Sequence, residues 1–345
     1  MHSPWRLGLL TFACLTAALL CAGCAVSAST EQAIPDYVPA EVQLGSASPV
    51  VSESRIDSVN RYLSTVLVRT TFLNPKQGTK VKTCSGVLIQ DRLVLTAGHC
   101  VCDVRQPVPP EASGTAITDS STCAKTATVT LLHYGAPEKS PQAVPGAELP
   151  TPPTVDIGPY SGTVQAHEDL RIIYKEIETA SGWTTSTESS HADLAVIVLE
   201  ESLQRHARPI KLSEEPVHLK DRVVLVGYGS DVLGMAMNAP VRRYGENQVV
   251  SIRDDSSTFH IGTHLEIEPA YSGEKPGVVR RRGSYTAAGD SGGPCFRERK
   301  GVLELVGIAR STLGPPVVLS VYTSTHAHLD WLRQKLASAR SGHTD

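Results

Sequence analysis

The stretch Gly289-Asp290-Ser291-Gly292-Gly293-Pro294 places one hydroxyl at the centre of a glycine-rich loop. Serine is a weak nucleophile at neutral pH, so a working Ser291 needs a base to take its proton. It also needs donors to hold the oxyanion that forms when a carbonyl is attacked. Glycines at 289, 292 and 293 open backbone angles closed to other residues, which lets successive N–H groups point into one small space. The loop therefore offers the donors, and the base has to come from elsewhere.

Two distant segments supply the missing groups. Leu95-Thr96-Ala97-Gly98-His99-Cys100 carries an imidazole, and His191-Ala192-Asp193-Leu194-Ala195-Val196-Ile197 carries a carboxylate ahead of an apolar run. Together with Cys84-Ser85-Gly86-Val87-Leu88-Ile89, and in the order His, Asp, Ser, these stretches resemble the trypsin/chymotrypsin-like serine endopeptidases, over roughly residues 56–340. The resemblance implies that Ser291 attacks the scissile carbonyl, His99 shuttles the proton and Asp193 orients the imidazole. It implies an oxyanion hole from the N–H groups of Gly289 and Ser291. The expected partner is a protein or peptide substrate, with no nucleic acid, cofactor or metal. A second class remains open, a latent or non-catalytic binding protein on the same scaffold, activated by cleavage or a partner; its usual mark, loss of a triad residue, is missing.

These side chains must be held by strands. Short runs rich in Val, Leu, Ile and Thr, broken by Gly, Pro, Asp and Asn, recur at 63–73, 84–89, 93–96, 127–133, 170–177, 194–199, 223–228, 248–252, 302–308 and 317–322. That pattern predicts an all-β barrel or sandwich. Helical spacing occurs once, in Leu329, Leu332 and Leu336. The resemblance sharpens this to two six-stranded antiparallel β-barrels of the chymotrypsin-like type, about 56–203 and 204–324, with the triad in the cleft and a C-terminal helix at about 326–340. Between His99 and Asp193, ten prolines from Pro107 to Pro159 crowd a segment longer than the family carries there. Proline lacks the ladder donor, so the segment predicts surface loop insertions.

The chain has 345 residues, 41% hydrophobic, enough for one large or two modest cores. A formal net charge of −3 gives no electrostatic basis for a nucleic-acid or membrane-surface partner. The apolar run 7–22 behind Arg6 reads as an export signal rather than a span. Two processing routes stand open: cleavage after Ala28, or lipid attachment at Cys24, which resembles a bacterial lipobox. The protein is thus expected to be secreted, periplasmic or anchored at the cell surface. Residues 29–55 read as a linker or pro-segment. Within the family, a cut after a basic residue frees an isoleucine amine that pairs with the acid before the nucleophile. Arg55-Ile56 and Asp290 stand in the corresponding places, with an activating protease as the implied partner. The alternative is a surface Arg55 and an Asp290 satisfied by backbone.

Of eight cysteines, Cys14 and Cys21 fall in the leader and Cys24 is lost or lipidated. The resemblance pairs Cys84 with Cys100, which leaves Cys102 and Cys123 to close the inserted segment. Cys295 stays single on an apparent buried strand. The other histidines form no zinc-like set with carboxylates or thiolates. Counting back from Ser291 puts Tyr285 at the base of the primary pocket, where trypsin-like enzymes keep an aspartate, so a Lys or Arg preference has no electrostatic basis. Arg310, Ser311 and Thr312 replace the usual Ser-Trp-Gly of the pocket wall. Arg310 is expected to turn to solvent or an internal carboxylate rather than to substrate, and the pocket to favour a small or apolar side chain.

Overall fold

The computed structural model describes residues 54–341 except 75–77, 107–114, 136–153, 180–181, 230–239, 263–264, 268–278, 282 and 314–318. The leader 1–28, Cys24, nearly all of 29–55, and every proline of the crowded segment except Pro159 lie outside the described residues. No helix among the described residues is long and apolar enough to cross a membrane.

Two closed antiparallel barrels of six strands each carry the fold. In the first, Ala195–Leu199 pairs with Leu93–Thr96, followed by Gly78–Gln90, Thr65–Asn74, Thr126–Tyr134 and Thr154–Ala166, which closes back onto Ala195–Leu199. In the second, the ring runs Arg243–Ile252, Arg222–Gly227, Pro294–Arg299, Val302–Leu313, Leu319–Ser324, Thr258–Gly262 and back to Arg243–Ile252. The strands Leu93–Thr96 and Ala195–Leu199 are apolar and almost wholly buried. The first ends at the residues that lead into His99 and the second begins just after Asp193, so this buried pair sets the spacing of two of the expected site residues.

The crowded segment differs from its expectation. Pro159 lies inside the barrel strand Thr154–Ala166, after the cis peptide Gly158-Pro159. The ladder there runs Val129 to Tyr160 and then Leu131 to Ile157, so Gly158 and Pro159 face one residue of the neighbouring strand. A bulge needs no regular donor, which is how proline is tolerated in a closed barrel. The same segment builds a separate three-stranded sheet from Thr115–Asp119, Arg171–Thr179 and Gly182–His191.

The C-terminal helix Leu329–Ser341 follows the second barrel, yet Trp331 and Leu332 are buried in the cluster that contains the first barrel's core. The Trp331 indole N–H donates to Glu168 at 2.9 Å. The helix therefore ties the polypeptide that follows the second barrel back onto the first.

A buried polar knot also joins the barrels. Asp57 and Arg242, both fully buried, form an ion pair at 2.8 Å. Arg242 further donates to the Leu132 carbonyl at 2.7 Å and to Asn60 at 3.1 Å, while Asp57 accepts the N–H groups of Arg61 and Tyr62 at 2.8 and 2.9 Å. Every strong donor and acceptor in the knot is matched, the condition under which a buried charge is tolerated.

Candidate active site

His99 sits in the one-turn helix Gly98–Val101, immediately after the strand Leu93–Thr96. Its position is fixed from three sides. The disulfide Cys84–Cys100, with Cα atoms 6.0 Å apart, anchors the helix to the neighbouring strand. The Lys82 ammonium donates to the carbonyls of His99 and Cys102 at 2.9 and 2.7 Å, a cation placed where the turn leaves carbonyls unpaired. The second disulfide, Cys102–Cys123, closes the chain just beyond.

Asp193 lies in the turn between Gly182–His191 and Ala195–Leu199, next to Ala192, whose φ of +45° belongs to the left-handed region. It is 1% exposed. One carboxylate oxygen accepts the His99 backbone N–H at 2.9 Å, and the other faces His99 Nδ1 at 2.8 Å. Burial works against the charge on Asp193, but the imidazole and the N–H donors outweigh it and hold the carboxyl below its usual range. An ionised Asp193 fixes the tautomer: Nδ1 carries the hydrogen, and Nε2 keeps its lone pair for a proton.

Ser291 is held on the opposite wall by contacts that cross between barrels. The Ser85 N–H donates to the Ser291 carbonyl at 2.8 Å, and the Ser85 hydroxyl donates to the Gly289 carbonyl at 2.9 Å. The same hydroxyl accepts the Tyr228 N–H at 2.9 Å, and the Thr96 hydroxyl donates to the Ser85 carbonyl at 2.8 Å. Two positions in the loop require glycine. Gly289 has φ +98° and Gly292 φ +78°. A Cβ on Gly292 would lie 2.1 Å from the Thr96 hydroxyl oxygen and 2.3 Å from the Ser85 carbonyl oxygen. Among the described residues, no acceptor takes the N–H of Gly289 or Ser291, which leaves both for a ligand oxygen.

His99 and Asp193 are thus directly paired, while no hydrogen bond joins Ser291 Oγ to His99 Nε2, which lies 3.9 Å from the Cys100 sulfur. Ser85 was not among the sequence candidates. Its signal was its place directly after Cys84, on the first-barrel strand Gly78–Gln90, which packs against the second-barrel strand Pro294–Arg299.

Asp290 is buried and accepts the N–H groups of Gly229 and Ala287 at 2.7 and 2.9 Å, the backbone arrangement that the sequence left open. Burial lifts its pKa from 3.8 to about 6 against these two donors. A cavity of about 20 Å³ adjoins it, lined by Gly229, Arg243, Ser284 and Tyr285 among others. Arg55 and Ile56 are paired with Tyr244 and Arg243 at the edge of the second barrel.

A second cavity, of about 230 Å³, opens beside Ser291 between residues 286–288 and 309–312. Two expectations are corrected here. Tyr285 does not line it but packs, 8% exposed, against the cavity beside Asp290. Arg310 does line it, and makes no ion pair with an internal carboxylate among the described residues.

Cys295 is a free, buried thiol whose pKa burial pushes well above its usual value. Among the described residues the tight group of potential metal ligands is Cys84, His99 and Cys100, and both sulfurs are committed to the disulfide. In comparison with known families, residues 84–308, more than half of the chain, match the trypsin-like peptidase domain. No curated protein matches the chain.

Proposed function

The chain belongs to the trypsin-like peptidase family, and from this we propose that it is a serine endopeptidase working through His99, Asp193, Ser291 and the N–H groups of Gly289 and Ser291. The observation that carries the reading is the double contact of buried Asp193 with the His99 ring and its backbone, at 2.8 and 2.9 Å. That contact prepares Nε2 as a base. Ser291 Oγ attacks the carbonyl of the substrate as Nε2 takes its proton, and the oxyanion rests on the two free N–H groups. Collapse expels the leaving amine, protonated by His99, and leaves an acyl-enzyme that water hydrolyses by the same steps. The missing Ser291–His99 hydrogen bond closes when substrate fills the cleft, as is usual for unliganded sites. The two disulfides favour an oxidising compartment, and export by the leader, with or without lipid at Cys24, completes the reading.

A second reading, latency until cleavage at Arg55-Ile56, draws on that missing bond and on the cavity beside Asp290. Against it, Asp57 directly follows Ile56 and is locked to Arg242. We take the uncut chain as the working form. The test is the intact mass of the mature protein before and after a serine-directed fluorophosphonate, with Ser291→Ala as control. A single adduct on the wild type alone supports the peptidase. An adduct that forms only after cleavage at Arg55-Ile56 supports latency, and no adduct in either form overturns both.

A further inference from the structure

The cavity beside Ser291 contains one ionisable side chain among its lining residues, Arg310. Ser291 attacks the carbonyl of one substrate residue, so the side chain of that residue falls within a few ångströms of Ser291, and this is the cavity it meets.

Arg310 is aimed by the backbone. The strand Val302–Leu313 pairs Ala309 with Tyr322 and then Ser311 with Val321, so Arg310 is the unpaired residue of a bulge. Bulges beside active sites re-aim side chains. The residue before it is tied to the nucleophile loop twice: Gly292 N–H donates to the Ala309 carbonyl and Ala309 N–H to the Gly293 carbonyl, each at 2.8 Å. Arg310 is therefore held in fixed register with Ser291.

Among the described residues its charge is unanswered. The two most buried arginines are paired, Arg242 with Asp57 and Arg297 with Asp221, each at 2.8 Å. Arg310 is half-buried and has no hydrogen bond or ion pair with a described residue. Burial depresses its pKa, offset by the longer-range field of Asp193. Both Asp193 oxygens are already taken by His99. The two threonine hydroxyls of the wall are already committed as donors, because Thr312 donates to the Thr286 carbonyl and the two hydroxyls bond each other, each at 2.8 Å, which leaves the neutral hydroxyls of Ser291 and Ser311 beside the guanidinium. No described carboxylate lines the cavity. An unpaired guanidinium in a partly dehydrated pocket is costly until an anion joins it.

We propose that this pocket receives an acidic side chain, glutamate or aspartate, on the acyl side of the scissile bond, with Arg310 as the specificity-determining cation. The proposal rests on the peptidase reading. It replaces the small or apolar preference suggested by the sequence.

The experiment uses matched fluorogenic peptides that differ only in that residue, Glu, Asp, Gln, Ala or Lys, with the mature wild type, Arg310→Gln and Arg310→Lys. Fluorophosphonate labelling of each protein runs in parallel, so that assembly of the nucleophile is read separately from specificity. The expected result is kcat/KM for Glu or Asp about 100-fold or more above Gln, a ratio near one in a still-labelled Arg310→Gln, and part of the ratio restored in Arg310→Lys. A labelled wild type that prefers Gln, Ala or Lys overturns the proposal and leaves the peptidase standing, as does a Glu-to-Gln ratio unchanged in Arg310→Gln. A wild type that takes no label overturns the peptidase reading, and the specificity falls with it.

Discussion

The hydroxyl of Ser85, on the first barrel, donates to the carbonyl of Gly289 at 2.9 Å, on the second. With its N–H on the Ser291 carbonyl, Ser85 holds both ends of the residue pair whose N–H groups face the cleft. The two barrels therefore meet at the atoms that the proposed acyl transfer needs aligned.

Replacing that hydroxyl tests the arrangement. Ser85→Ala strands the buried Tyr228 N–H and frees the Gly289 carbonyl. The expected stability loss is about 1–3 kcal/mol. In steady-state kinetics kcat falls on the order of 10-fold to 100-fold, with KM little changed, because the lost alignment acts on the oxyanion rather than on substrate binding. An unchanged kcat would show that the glycine loop holds itself.

Asp290 gives stability a pH signature. Its folded pKa, about 6, lies above the ordinary 3.8, so the folded state binds this proton more tightly than the unfolded chain does. That contribution is fully present below the unfolded pKa and is lost as pH rises through about 6. Urea melts at a series of pH values should show the wild type losing on the order of 3 kcal/mol relative to Asp290→Asn across this window. Parallel curves for the two proteins would mean that the carboxyl is not perturbed.

The knot between the barrels responds to loss of one partner. Arg242→Met leaves Asp57 fully buried with its charge unmatched, and the expected cost is about 3–5 kcal/mol. Denaturant midpoints measure it. The paired variant Asp57→Leu with Arg242→Met should recover much of that loss, since no lone charge remains.

Arg55 separates the working forms. Arg55 and Ile56 sit in an edge pairing and Asp57 is anchored, so Arg55→Gln, which blocks cleavage after a basic residue, is expected to leave activity unchanged. Abolished activity in Arg55→Gln, restored by an introduced cleavage site, would establish activation by cutting.

Much of the site was readable because it is local in sequence. A histidine beside a cysteine, a carboxylate ahead of an apolar strand and a glycine loop each announce themselves within a few residues. The pairing of Cys84 with Cys100 and of Cys102 with Cys123 was also reachable. What escaped depends on through-space context. The strand Thr154–Ala166 was hidden because a bulge accommodates Pro159, and the polar strand Gly182–His191 lacks the apolar alternation that marks a core strand. The role of Ser85 depends on a partner 204 residues away. Tyr285 was misplaced by counting along a loop, because a fixed offset from Ser291 does not say which of two cavities a side chain enters.

The Asp57–Arg242 pair spans 185 positions of sequence. A chain growing from its N-terminus emerges with Asp57 long before its partner is made, and all six strands of the first barrel are complete by Leu199. Until Arg242 arrives, that half carries a carboxylate with nowhere dry to go, and Ser85 has no loop to hold. Ser291 is made later still, so the residues of the proposed site are all present only once most of the second barrel has been synthesised.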